Sequence, residues 1–212
     1  MDEGKGEMEM SVIHSVNDGF VRLVDSMGND MSVVRAARVS YGNDNLVDED
    51  YDLLLSLMKD NDKLPFEHMV FTFHIRCPIL IAQQWLKHQI GSFNEGDSLN
   101  VELSRDLPRL TLLLERFSEE EIASMQVAWE YATEIIESTY DSLLEKGMVE
   151  QAKAILPLGT HTEFYWTVNL HHLFNFITLQ HNYAEMQDYL VAIQSIGKEK
   201  AKLCFQAFES EL

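Results

Sequence analysis

The chain has 212 residues, enough for one domain with a sizeable core, and nothing in its length calls for a second. Its formal net charge of −19 comes without a basic patch, so a nucleic-acid polymer is excluded as an expected partner. Hydrophobic residues make up 46% of the chain, yet no apolar run nears the roughly 18 residues of a membrane helix, and no membrane association is expected.

Residues 1–10, MDEGKGEMEM, read as a flexible acidic tail, with residues 11–212 as a single domain. That start has neither the apolar segment of a secretory signal nor the basic character of a transit sequence, which makes the cytoplasm the expected location. Ser11 to Val16 and Phe20 to Val24 alternate apolar with polar residues across Asn17-Asp18-Gly19, a hairpin signal. Asn29 or Asp30 can cap a helix running to Arg38, and Asp48 to Lys59 repeats the amphipathic pattern.

Phe71 to Ile81 is rich in β-branched and aromatic residues and reads as a strand, after which Ala82 to Leu86 favour helix. That helix ends on Lys87, His88 and Gln89. Gly91, Ser92, Asn94, Gly96, Asp97 and Ser98 then read as a polar loop able to bring backbone donors close to a ligand. Ser118-Glu119-Glu120-Glu121 has the spacing of a capping box and opens a long helix that lasts until Gly147. Further helices are expected from about Val149, from about Thr167 to Thr178, and from Ala184 to about Phe208. The class is α+β, with strands concentrated in the first half and helices dominating the second.

Cys77 and Cys204 sit in apolar settings without a CxxC partner, so both read as buried free thiols. His171, His172 and His181 lie close in sequence, but neither an HxxxH motif nor a nearby carboxylate completes a ligand set, and no metal site is expected.

Lys87-His88-Gln89 followed by Ser98-Leu99-Asn100 resembles, in altered form, the Arg-His-Arg and Ser-x-Arg signature of the flavin-dependent thymidylate synthases. The likeness extends through Phe20 to Tyr41, through PFEHMVFTFH at Pro65 to His74, and through Ala154 to Phe176. It implies the fold of that family, an antiparallel sheet with several long helices, assembled as a homotetramer. It also implies FAD, methylenetetrahydrofolate and NADPH as cofactors and a pyrimidine deoxynucleoside monophosphate as substrate. The default reaction is methylation of dUMP to dTMP. No protein nucleophile is needed for it, so the site residues are expected to bind and position.

By position, the resemblance places His88, Ile90, Asn94, Glu67, Asn169, His171 and Asn175 at the flavin. It places Gln84, Lys87, Glu95, Asp97, Ser98, Asn100, Lys153 and Gln180 at the nucleotide, with His88 and Gln180 closest to the chemistry. Taken singly, Glu67 could pair with a basic residue, the asparagines could cap backbone groups, and His88 could be an ordinary imidazole.

The departures from the family pattern are systematic. Lys87, Asn100, Lys153 and Gln180 stand at nucleotide positions where arginine is expected, and His171 replaces an arginine at the flavin. Lysine keeps charge but loses the two-pronged grip on phosphate, while the amides lose the charge as well. Arg105 or Arg109 could compensate. A glutamine both donates and accepts, so Gln180 suits cytosine as well as uracil. Two other outcomes therefore stay open: hydroxymethylation of dCMP or dUMP at the same flavin and folate site, and a homologue that binds flavin or nucleotide without turnover.

Overall fold

The computed structural model describes residues 13–16, 18–41, 50–96, 117–179 and 184–212. Strands β1 (Ile13–Val16) and β2 (Gly19–Met27) form the expected hairpin, with Ile13 opposite Arg22 and Val16 opposite Gly19. Helices α1 (Asp30–Tyr41) and α2 (Asp50–Lys59) follow, then a short 3-10 helix at Leu64–His68 started by Pro65. The chain continues as β3 (Val70–Pro78), α3 (Ile79–Lys87) and β4 (Ser92–Glu95). Next come α4 (Glu119–Glu145), α5 (Val149–Ala154), β5 (His161–Asn169) and α6 (Leu170–Thr178). Helices α7 (Ala184–Lys200) and α8 (Lys202–Glu209) close the described chain.

The sheet is antiparallel throughout, in the order β1-β2-β3-β5-β4. Phe71, Phe73, Ile75 and Cys77 of β3 are wholly buried, as are Phe164, Trp166 and Val168 of β5, whereas the residues between them reach the other face. This period of two fixes one face against helices α3, α6 and α7, while the residues of the opposite face are mostly half-buried. On that opposite face His74 stacks on Tyr165 with ring centroids 4.9 Å apart. His74 also bonds Arg22 at 2.6 Å and Glu163 at 2.8 Å.

Four expectations are corrected. The strand expected to run to Ile81 ends at Pro78, because the first N–H groups of α3 find carbonyls outside it: Ile79 N–H donates to Thr160 O at 2.8 Å and Leu80 N–H to Leu158 O at 2.9 Å. The expected polar loop after Gly91 contains β4, whose Phe93 lies against Trp166 while its backbone extends the sheet along β5. A helix was expected from about Thr167, but residues up to Asn169 belong to β5, which places one strand in the second half of the chain. The single closing helix is two helices broken at Ala201, whose backbone leaves the helical region at φ −138° and ψ 59°.

That break has a defined support. Asp30, one of the two residues expected as a cap for its own helix, accepts from Leu203 N–H at 3.1 Å and Cys204 N–H at 2.9 Å, capping α8 from across the fold. Gly197 lets Phe205 fold back onto α7, since a Cβ there would lie 2.2 Å from the Phe205 ring. Cys77 and Cys204 are buried free thiols as expected, and burial pushes both thiols well above the ordinary range.

Helix α4 opens with the expected capping box, in which Ser118 Oγ accepts from Glu121 N–H and Glu121 accepts from Ser118 N–H at 2.8 Å. Of its 27 residues only Thr133 and Tyr140 are buried. Among the described residues no helix is long and apolar enough to cross a membrane.

Candidate functional site

Two short elements meet first. The 3-10 helix packs on α6, and their ends are tied by a backbone bond from Leu170 N–H to Met69 O at 2.8 Å. Asn169 is the N-cap of α6, its Oδ1 accepting from His172 N–H at 2.8 Å, so this asparagine does take the capping role open to it. With both elements fixed, side chains spaced by four residues pair in opposite order. Glu67 Oε1 meets His171 Nδ1 at 3.0 Å, and Lys63 Nζ donates to Asn175 Oδ1 at 3.4 Å. All four side chains are half-buried, neither sealed into the core nor fully solvated.

The end of α3 reaches the same helix from another side. Trp85 is fully buried and lies on Phe176 with centroids 5.1 Å apart, and His88, the C-cap residue, sets its ring 6.0 Å from Phe176 at 81°. Phe176 adjoins Asn175 in sequence, so the α3 terminus and the Glu67–His171 pair flank one helix. Past His88 the backbone turns through two left-handed residues, Gln89 at φ 50° and Gly91 at φ 88°. Between them Ile90 O accepts from Trp166 Nε1 at 2.7 Å. Gly91 cannot carry a side chain here, because a Cβ would lie 2.4 Å from Thr167 O.

Of the expected flavin residues, Glu67, His171, Asn169 and Asn175 thus gather along α6, and His88 joins them through Phe176 with Ile90 pinned beside it. Asn94 and Glu95 lie exposed on the edge strand β4, where Asn94 is opposite Tyr165 and Glu95 accepts from Thr162 Oγ1 at 2.8 Å. Gln84 is half-buried one turn before His88, Lys87 is exposed, and Lys153 is exposed in the last turn of α5. Asp97, Ser98, Asn100 and Gln180 lie outside the described residues, as do Arg105, Arg109 and His181.

Sequence reasoning missed Lys63. The signal was available in retrospect, for Lys63 precedes Glu67 by four residues and lies just before the Pro65 to His74 segment that carries the resemblance. It also missed that Glu67 supplies the carboxylate lacking near His171 and His172. The ligand atoms of these three residues lie within 4.8 Å of one another, although Glu67 and His171 are 104 positions apart.

Chemically, a carboxylate, an imidazole, an amide and an ammonium stand together, Glu67 paired with His171 and Lys63 with Asn175. That set suits a flat heteroaromatic group with donor and acceptor edges and an attached phosphate, which describes a flavin nucleotide. The residues present fit such a group.

Comparison with known proteins gives a consistent result. The family model described as thymidylate synthase complementing protein matches residues 22–201. A protein of Thermosipho africanus named flavin-dependent thymidylate synthase is 40% identical over 209 residues, covering 91% of this chain and 92% of its own. One of the same name from Thermotoga neapolitana is 43% identical over 203 residues, with 91% and 92% covered. Among solved structures, a UMP/dUMP methylase, PolB of Streptomyces cacaoi bound with 5-Br dUMP, superposes with a TM-score of 0.79 at 27% identity, covering 91% of this chain and 95% of that one.

Proposed function

The chain belongs to the flavin-dependent thymidylate synthase family and is an enzyme of that type, a flavoprotein transferase of nucleotide biosynthesis, and we propose that it methylates C5 of dUMP with a carbon from methylenetetrahydrofolate over FAD reduced by NADPH. The observation that carries this reading is the convergence on α6 of His88 from the α3 terminus and of the Glu67–His171 and Lys63–Asn175 pairs. The bound flavin supplies the electrons that complete the methyl group. The protein's own residues supply position and charge.

In this assignment Asn175, His171, Glu67 and Asn169 hold the flavin from the α6 side, while His88 and Ile90 meet it from the α3 turn. Lys63 contributes a cation that the altered signature lacks, beside the position where His171 replaces an arginine. Gln84, Lys87, Glu95, Asp97, Ser98, Asn100, Lys153 and Gln180 are assigned to the nucleotide, with Gln180 at the pyrimidine edge. Residues 11–212 act as one cytoplasmic domain.

We assign a homotetramer as the working assembly. Val127, Tyr131 and Ile135 of α4 are 65%, 66% and 50% exposed, a concentration of large apolar side chains that favours burial against another copy.

The test is direct. The purified protein is expected to be yellow or to take up FAD, and His88→Ala is expected to weaken that uptake by about tenfold or more. With methylenetetrahydrofolate, NADPH and dUMP, mass spectrometry is expected to show a nucleotide heavier by one methyl group. A colourless protein that ignores added FAD, or a hydroxymethyl product, or turnover confined to dCMP, would overturn the assignment.

A further inference from the structure

We propose that Glu67, His171 and His172 form a binding site for a divalent transition-metal ion of the zinc type, and that an ion held there excludes the flavin. The second half rests on the flavin assignment above; the first does not.

The geometry comes first. One oxygen and two imidazole nitrogens, one from each residue, lie within 4.8 Å of one another. Two imidazoles sharing a tetrahedral ion, with bonds of about 2.0 Å, place their ring centroids about 5 Å apart. The His171 and His172 centroids are 5.0 Å apart. A carboxylate oxygen and an imidazole nitrogen on the same ion stand about 3.4 Å apart. Glu67 Oε1 and His171 Nδ1 are 3.0 Å apart, so an ion need only part the pair by a few tenths of an ångström.

The scaffold is also set beforehand. His171 and His172 occupy the first turn of α6, which is held by the Asn169 cap on His172 N–H and by the Leu170–Met69 backbone bond. Such supports keep ligands oriented without help from the ion. The positive end of α6 works against a cation, and the charge of −19 works for one by raising the local cation concentration.

Two nitrogens and one oxygen form a borderline-soft set that selects zinc-like ions over magnesium or calcium, and three protein ligands leave a position for water. Glu67 and His171 are the same groups assigned to the flavin, so ion and coenzyme compete for them. His172 has no part in the flavin assignment and serves the ion alone.

The experiment uses the full-length protein freed of flavin. Zinc titrated against a chromogenic indicator is expected to bind at one ion per chain, with excess magnesium unable to displace it. His172→Ala and Glu67→Gln are each expected to weaken zinc binding by about tenfold or more. His172→Ala is expected to leave FAD uptake without zinc unchanged. Zinc at ten times its dissociation constant is expected to raise the apparent dissociation constant for FAD about elevenfold in the unaltered protein, as competitive linkage requires. Zinc affinity that is the same in both variants as in the unaltered protein would overturn the metal site. Zinc bound as described with FAD affinity unmoved would overturn the exclusion. A protein that binds zinc but never FAD would instead defeat the flavin assignment, leaving the metal site standing.

Discussion

At the scale of single residues, the site depends on positions where a side chain is forbidden or silenced. Gly91 sits at φ 88° with Thr167 O where a Cβ would stand, so Gly91→Ala must move either the turn after His88 or strand β5. A cost of about 2 kcal/mol is expected, which lowers Tm by about 4–8 °C at this chain length. Calorimetry at fixed protein concentration measures it, together with weaker FAD uptake because Ile90 and His88 share that turn. The two thiols offer a contrasting case. Burial is the main cause raising both, so neither is a nucleophile at neutral pH, and nearby carboxylates push each further. Native protein is expected to leave Cys77 and Cys204 unmodified by iodoacetamide at pH 8, and both are expected to react in denaturant. Rapid labelling of either thiol in the native state would contradict their placement.

At the scale of elements, helix ends decide most of what differs from expectation. The α4 capping box was legible because Ser118 and Glu121 are local, whereas the cap on α8 comes from Asp30, 173 positions before Leu203. Asp30→Ala is expected to cost about 1–2 kcal/mol, visible as a lower Tm and faster hydrogen exchange at Leu203 and Cys204. The α4 cap carries a pH signature. Hydrogen bonds from the Ser118 backbone and side chain hold Glu121 below the ordinary glutamate range. A carboxyl lowered by folding stabilises the fold in full above its unfolded value and loses that contribution as pH falls through the lowered, folded value. Hydrogen exchange at Ser118 and Glu121 is therefore expected to lose protection on acidification through and below the glutamate range. Glu121→Gln is expected to abolish that dependence.

At the scale of the whole molecule, α4 is the element whose sequence and surroundings disagree most within one chain. It has a strong start and helical apolar spacing, yet Met125, Val127, Tyr131 and Ile135 face outward. The homotetramer proposed above would bury them against a second copy. Tyr131→Glu with Ile135→Glu is expected to lower the assembly below a tetramer by light scattering. Retention of a tetramer in the double variant would remove α4 from the interface. If flavin sites are shared between copies, the smaller species is also expected to take up less FAD.

Local pattern was enough to determine the opening hairpin, the presence and end of α2, the capped start of α4, the buried thiols and the family likeness that led to His88, Glu67 and Asn175. These features arise from neighbours in sequence, where periodicity, capping and motif spacing operate. What only the tertiary structure decided was non-local. Strand β5 was masked by a segment that reads equally as helix, and became a strand because β3 and β4 offer it partners on both sides. The pairing of Lys63 with Asn175 and of Glu67 with His171 joins segments more than a hundred positions apart. Spacing along the chain carries no information about such a meeting, because it is set by how the 3-10 helix and α6 pack, and packing is a property of surfaces brought together rather than of residues in order.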